Sequence, residues 1–155
     1  MEKVKLMNMC KIIDKKSGCV LVQERIKSWQ GIAFPGGKIE EGEAIVPSVI
    51  REVFEETGLK ISDLKLCGLK DWYDKKNKER FLVFLFTASE YEGELTEETN
   101  EGKVYWMKES ELSKQKLADD FYELLKVFSD ETLNEMVYQD NLCDDENSRW
   151  ELKLY

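Results

Sequence analysis

Glu52, Glu55 and Glu56 crowd together in a chain that is already acidic, directly behind Arg51 and a short way past the Gly36-Gly37 pair. Closely spaced carboxylates offer hard oxygen ligands for Mg²⁺ or Mn²⁺, ions that bind through a few carboxylates and complete their shells with substrate phosphates. The glycine pair lets the backbone bend sharply, so a main-chain carbonyl can join the carboxylates. The competing interpretation is a solvated helix face. Against it, Glu52 and Glu56 form an i, i+4 like-charge pair, which costs an isolated helix a few tenths of a kcal/mol. Arg51 can pair with Glu55 at the same spacing, but no lysine in the helix offsets the Glu52–Glu56 pair, and Glu40, Glu41 and Glu43 add to the negative field.

The elements that must position these groups are legible in the periodicity. Ala44–Thr57 reads as a helix with Val46, Val49, Ile50, Val53 and Phe54 on one side and Arg51, Glu52, Glu55 and Glu56 on the other. Gly58 is placed as its C-cap, and Pro47 fits only in the first turn. Asp119–Phe128 reads as a second helix with Phe121, Leu124, Leu125 and Phe128 inward. Val4–Ile13 and Gly18–Glu24 read as a hairpin around DKKS, and Leu64–Tyr73 with Phe81–Tyr91 as a second pair around KKNKE. FLVFLF is apolar enough for a strand buried on both faces. Lys103–Met107, EMVYQ and RWELKLY are further strands, the last two separated by the acidic turn CDDENS. Several strands and two helices on one core predict an α+β sandwich.

Bulk properties limit the chemistry. The 155 residues suit a single domain spanning 1–155 with a real core, and 42% hydrophobic with 35% charged residues is a globular composition. The formal charge is −9, which disfavours stable nucleic-acid binding while leaving room for a small anionic substrate held through a metal ion. The chain has no histidine, which removes Ser-His-Asp and Cys-His nucleophile systems and histidine-ligated zinc. Cys10, Cys19, Cys67 and Cys143 are scattered and read as reduced, mostly packed thiols. No stretch has signal-peptide or transmembrane length, so a soluble, cytoplasmic protein without membrane partners is expected. Oligomeric state is not legible.

Gly37, Glu43, Arg51-Glu52-Val53, Glu55-Glu56 and Gly58-Leu59 match the Nudix box at every fixed position, so residues 37–59 are identified as that motif. The resemblance implies an α/β/α sandwich around a mixed sheet and metal-dependent hydrolysis of a nucleoside diphosphate linked to another group. It makes the Gly36 carbonyl, Glu52, Glu55 and Glu56 the metal ligands, with Mg²⁺ as cofactor and Mn²⁺ as an alternative. Arg51, Glu52 and Glu55 are carried over as catalytic residues, Arg51 orienting the carboxylate beside it. The general base stays open, since family members differ.

Beyond the box the chain is similar to the 8-oxo-dGTP diphosphatase branch, the mutator-type enzymes that sanitise the nucleotide pool. SWQGIAFPGGK resembles the loop leading into the box, and EYEGELTEETNEGKVYWM resembles the segment that supplies a further acidic ligand, here Glu101 with Glu97 and Glu98 as competitors. LADDFYELL resembles the stretch where two aspartates read the purine edge, here Asp119 and Asp120. Trp29, Gly37, Lys38 and Leu117 complete the substrate-binding set, although Leu117 stands where that branch has a base-stacking tryptophan, and Ile32-Ala33-Phe34 replaces a base-contacting asparagine. Arg25 reads as a surface arginine within reach of a phosphate. The implied reaction is hydrolysis of a purine nucleoside triphosphate to monophosphate and pyrophosphate. ADP-ribose, a dinucleoside polyphosphate or an RNA 5′ end are alternative substrates, and a non-catalytic nucleotide-binding module is the alternative class.

Overall fold

The computed structural model describes residues 1–140 and 150–155. β1 (Lys3–Asp14) and β2 (Cys19–Arg25) begin as the expected hairpin, closed by Asp14, whose carboxylate accepts from the Lys16 N–H at 3.1 Å and the Ser17 hydroxyl at 2.7 Å. Here the structure corrects the sequence-based expectation, because only Ile13 with Val20 and Asp14 with Cys19 remain paired before the strands part. β1 then runs parallel to β5 (Glu79–Glu92), while β2 pairs antiparallel with β7 (Gly102–Lys108) and β3 (Gly31–Ala33).

The physical reason for the split lies in what fills it. Backbone groups on the edge that β1 turns toward β2 cannot stay unpaired. They are taken by the loop after β3: Asn8 N–H donates to the Gly37 carbonyl at 2.8 Å, Cys10 N–H to the Pro35 carbonyl at 2.8 Å, and Ile39 N–H to the Leu6 carbonyl at 3.0 Å. The glycine pair is thereby stitched into the sheet rather than left on a free loop. Phe34, just before it, is fully buried and meets Phe121 and Phe128 edge-to-face at 4.9 and 5.3 Å, which anchors the loop to the core.

β4 (Lys60–Asp74) pairs antiparallel with β5, and β8 (Glu135–Asp140) adds parallel to β4, followed by β9 (Trp150–Leu154). The short β6 (Glu98–Thr99) caps the other edge, giving the mixed order β6-β7-β2-β1-β5-β4-β8-β9 with β3 beside β2. CDDENS lies outside the described residues. β5 is central and buried on both faces, as its composition predicts: Val83 and Leu85 enter one core, Phe86 and Ala88 the other. α1 (Ile45–Thr57) covers the second core with Val49 and Val53, and α2 (Phe121–Ser129) covers the first with Phe121, Leu124 and Val127. This is the expected α/β/α sandwich around a mixed sheet.

The face of α1 differs from the periodicity reading. Val46 and Phe54 are 44% and 56% exposed, whereas Ser48, Val49, Val53 and Thr57 are buried and Glu52 and Glu56 are partly buried. The helix packs against two surfaces at once, the sheet and the Gly36-Gly37 loop. The second contact rotates the acidic side inward and leaves Phe54 outside. Gly58 ends the helix with φ +76° and its N–H on the Phe54 carbonyl, as expected of a C-cap.

Candidate active site

Gly36 and Gly37 bring the loop against both β1 and α1. A Cβ on Gly36 would lie 2.7 Å from Met9 Cα and closer still to the Asn8 carbonyl oxygen; one on Gly37 would lie 2.8 Å from Glu52 Oε1 and nearer to the rest of that carboxylate. Asn8, nearly fully buried, clips the arrangement together. Its side chain donates to Ser48 Oγ on α1 at 3.0 Å and accepts from the Gly37 N–H at 3.2 Å.

Arg51 organises the carboxylates. Its Nε and Nη2 grip Glu43 at 2.8 and 2.9 Å, Nη1 donates to Glu52 at 2.9 Å and to Glu55 at 3.3 Å, and Nη2 also reaches the Lys38 carbonyl at 3.0 Å. The bidentate Arg51 contact, with the Glu40 N–H, lowers the Glu43 carboxyl to about 2. Burial raises Glu52, with Arg51 opposing. Glu56 accepts from the Gly36 N–H at 2.9 Å, yet burial, then the charges of Glu52 and Glu101, push its carboxyl up to about 7.

Gly36, Gly37, Glu43, Glu52 and Glu56 line one cleft of about 1650 Å³, as do Trp29, Lys38, Glu55, Glu101, Asp119 and Asp120. Glu101 ion-pairs with Lys27 at 3.3 Å, while Glu97 and Glu98 are not among the lining residues. Leu117 is not in the lining either: its segment pairs with β3 through Ile32, and its side chain packs on the core. Asp120 N-caps α2 at φ +57° and accepts from the Tyr138 hydroxyl at 2.6 Å. Trp29 has φ +49°, an unusual backbone for a bulky side chain, so two residues of the cleft are held in the left-handed region.

The NUDIX domain family model matches residues 7–128. The chain belongs to the Nudix family. It is 37% identical over 90 residues to the uncharacterized Nudix hydrolase YvcI of Bacillus subtilis, covering 56% of each chain. It is 32% identical over 96 residues to an 8-oxo-dGTP diphosphatase of Proteus vulgaris (60% of this chain, 83% of that one), and 32% identical over 85 residues to an ADP-ribose pyrophosphatase of Methanocaldococcus jannaschii (54% and 50%). The matched segment thus spans only about half of the first and third of these relatives. Among solved structures, the mutator MutT protein of Bacillus halodurans superposes with a TM-score of 0.76 at 27% identity, covering 97% of both chains.

Nudix hydrolases generally use divalent metal ions. Among the described residues no three acidic side chains are gathered closely enough for a closed metal cage. The donor set nevertheless fits such an ion as an open site. All the donors are hard oxygens, Glu56 feels like charge from Glu52 and Glu101 that Arg25 offsets only in part, and the remaining positions fall to water and phosphate.

A raised Glu56 has a consequence for stability. Its folded-state proton is held more tightly than in the unfolded chain, so its contribution is full below the ordinary value of 4.5 and is lost as pH rises to about 7. Thermal melts in EDTA should therefore show a decline across that window that Glu56→Gln removes, and the gain in Tm on adding Mg²⁺ should be larger at pH 8 than near pH 5.5. An identical pH response in wild type and variant would contradict this assignment.

Asn8, Lys70, Trp72 and Tyr138 belong to the cleft or its frame and were not singled out by sequence. Arg25, read as a surface residue, is half-buried in the cleft lining, where its charge acts on both Glu56 and Lys70. One signal was available: in the strand GLKDWYD, alternation puts Lys70 and Trp72 on the same face.

Proposed function

We propose that this Nudix hydrolase is a Mg²⁺-dependent nucleoside triphosphate pyrophosphohydrolase, with Mn²⁺ able to substitute, acting in the cytoplasm on 8-oxo-dGTP or related purine triphosphates. The observation that carries the reading is that a single cleft has two chemically distinct ends. One holds Glu52, Glu55 and Glu56 beside the glycine loop, suited to a polyphosphate. The other holds Asp119, Asp120 and aromatic rings, suited to a purine with ring N–H groups.

The Gly36 carbonyl, Glu52, Glu55, Glu56 and Glu101 would hold the ion. When bound, divalent metal neutralises the polyphosphate, lowers the pKa of a coordinated water and stabilises the leaving phosphate. The protein's own groups do the rest. Arg51, fixed on Glu43, holds the Glu52 carboxylate in one orientation. Water adds to one phosphorus of the α–β anhydride, the P–O bond breaks, the departing phosphate group takes the bonding electron pair, and the proton of the water passes to the base. Trp29 and Lys38 line the cleft where they would contact the substrate.

Asp119→Ala tests the purine half of the reading. It should lower kcat/KM for the preferred purine triphosphate by about ten-fold or more, the worth of a charge-assisted hydrogen bond, and leave half-saturating Mg²⁺ unchanged. Equal losses on every nucleotide would count against base reading by Asp119.

A further inference from the structure

Lys70 stands at the aromatic end of the cleft, and strand register explains how it gets there. β4 pairs Lys70 with Val83 on one side and Met136 on the other, and Trp72 with Phe81 and Tyr138. Trp72 stacks on Phe81 with centroids 4.6 Å apart and planes 2° from parallel, and Trp29 meets Trp72 edge-on at 5.6 Å. The Lys70 ammonium lies 5.4 Å from the ring centre of Trp29, 5.5 Å from Trp72 and 5.6 Å from Tyr138. Three ring faces hold the cation in place, each attracting it through the ring quadrupole. Among the described residues it forms no ion pair or hydrogen bond, so its N–H donors remain available to a ligand in the cleft.

Its surroundings define what it can recognise. Burial pulls the Lys70 pKa down and Arg25 adds to this, while Asp120 and Asp119 support the charged form. The geometry agrees: the ammonium lies over the Tyr138 ring, the hydroxyl of that ring ends on one oxygen of Asp120 at 2.6 Å, and Asp119 lines the same cleft, so a cationic donor shares this end with two carboxylate acceptors. A base that satisfies all three offers a carbonyl oxygen next to ring and amino N–H groups, as the guanine edge does; adenine presents an amino group where guanine has its carbonyl. Against adenine, Lys70 would face a donor and lose its partner, and leaving a charged donor unpaired is costly.

We propose that Lys70 is a specificity-determining residue that donates to the 6-carbonyl oxygen of a 6-oxopurine while Asp119 and Asp120 accept from its N–H groups, so that guanine-type nucleotides are taken and adenine nucleotides refused. This deepens the function proposed above and rests on its placement of the base at this end of the cleft.

The test uses the full chain and the monophosphates GMP and AMP, whose binding is read by quenching of tryptophan fluorescence. These probes contain no anhydride, so their affinity ratio is independent of hydrolysis; failure to cleave any nucleoside triphosphate would sink the proposed function without touching this result. Wild type should bind GMP at least about ten-fold tighter than AMP, as expected for a hydrogen bond from a charged donor. Lys70→Met, which fills the cage without charge, should bring the ratio to within about two-fold, mainly by weakening GMP, and Lys70→Arg should keep most of the preference. Lys70→Gln provides a second neutral variant should Lys70→Met melt abnormally. A wild type without guanine preference, or a neutral variant that retains the ratio, would overturn the proposal.

Discussion

Glu56→Gln is expected to lose at least about 100-fold in metal-stimulated turnover, since removing even a partner one step beyond a metal ligand costs roughly 10- to 100-fold. The same variant should melt no lower than wild type at pH 8 without metal. Glutamine keeps an oxygen to accept from the Gly36 N–H, and it removes a charge that burial and the neighbouring glutamates disfavour. Loss of activity combined with unchanged or raised stability separates a ligand from a structural residue. A variant that retains turnover, or one that simply unfolds, would contradict the assignment. Turnover against Mg²⁺ concentration, paired with melts in EDTA, reads both quantities.

Gly36→Ala should damage fold and site together. Its Cβ would press on the Asn8 carbonyl and on Met9 Cα, both backbone atoms of β1, so no flexible side chain can yield. Overpacking of this kind costs about 1–3 kcal/mol. For a chain of this size each kcal/mol lowers Tm by roughly 2–4 °C. The backbone bonds from Asn8 and Cys10 to Gly37 and Pro35 would loosen, and the Gly36 N–H would leave its place on the Glu56 carboxylate. Turnover should therefore fall further than the loss of folded protein explains. Wild-type Tm and activity in Gly36→Ala would show that the loop is not pinned in this way.

Local signals carried much of this structure, and the misses share a cause. Helix ends, the Gly58 cap and the central FLVFLF strand follow from periodicity and turn chemistry within a short window. The pairing of β1 was missed because a strand followed by a turn and another strand predicts a hairpin; what parts them is the far-off β5 and the Pro35–Ile39 loop. The inward face of α1 was misjudged because Phe54 is more apolar than Glu52 and Glu56, and only the glycine loop, invisible to periodicity, creates a polar surface for those glutamates to face. The acidic end of the site was legible because its residues are sequence neighbours. The aromatic end was only half legible: Asp119 and Asp120 stood out through resemblance, but Lys70, Trp72 and Tyr138 come together through the register of β4 with β8, which no short motif encodes.

Product analysis by chromatography on the purified protein, with and without Mg²⁺, decides whether this cleft hydrolyses purine nucleoside triphosphates. Substrates would be 8-oxo-dGTP, the common nucleoside triphosphates, ADP-ribose and a dinucleoside tetraphosphate. Metal-dependent release of 8-oxo-dGMP and pyrophosphate is expected, with the highest kcat/KM on the oxidised purine. Cleavage of ADP-ribose or the dinucleotide in preference to every triphosphate would contradict it.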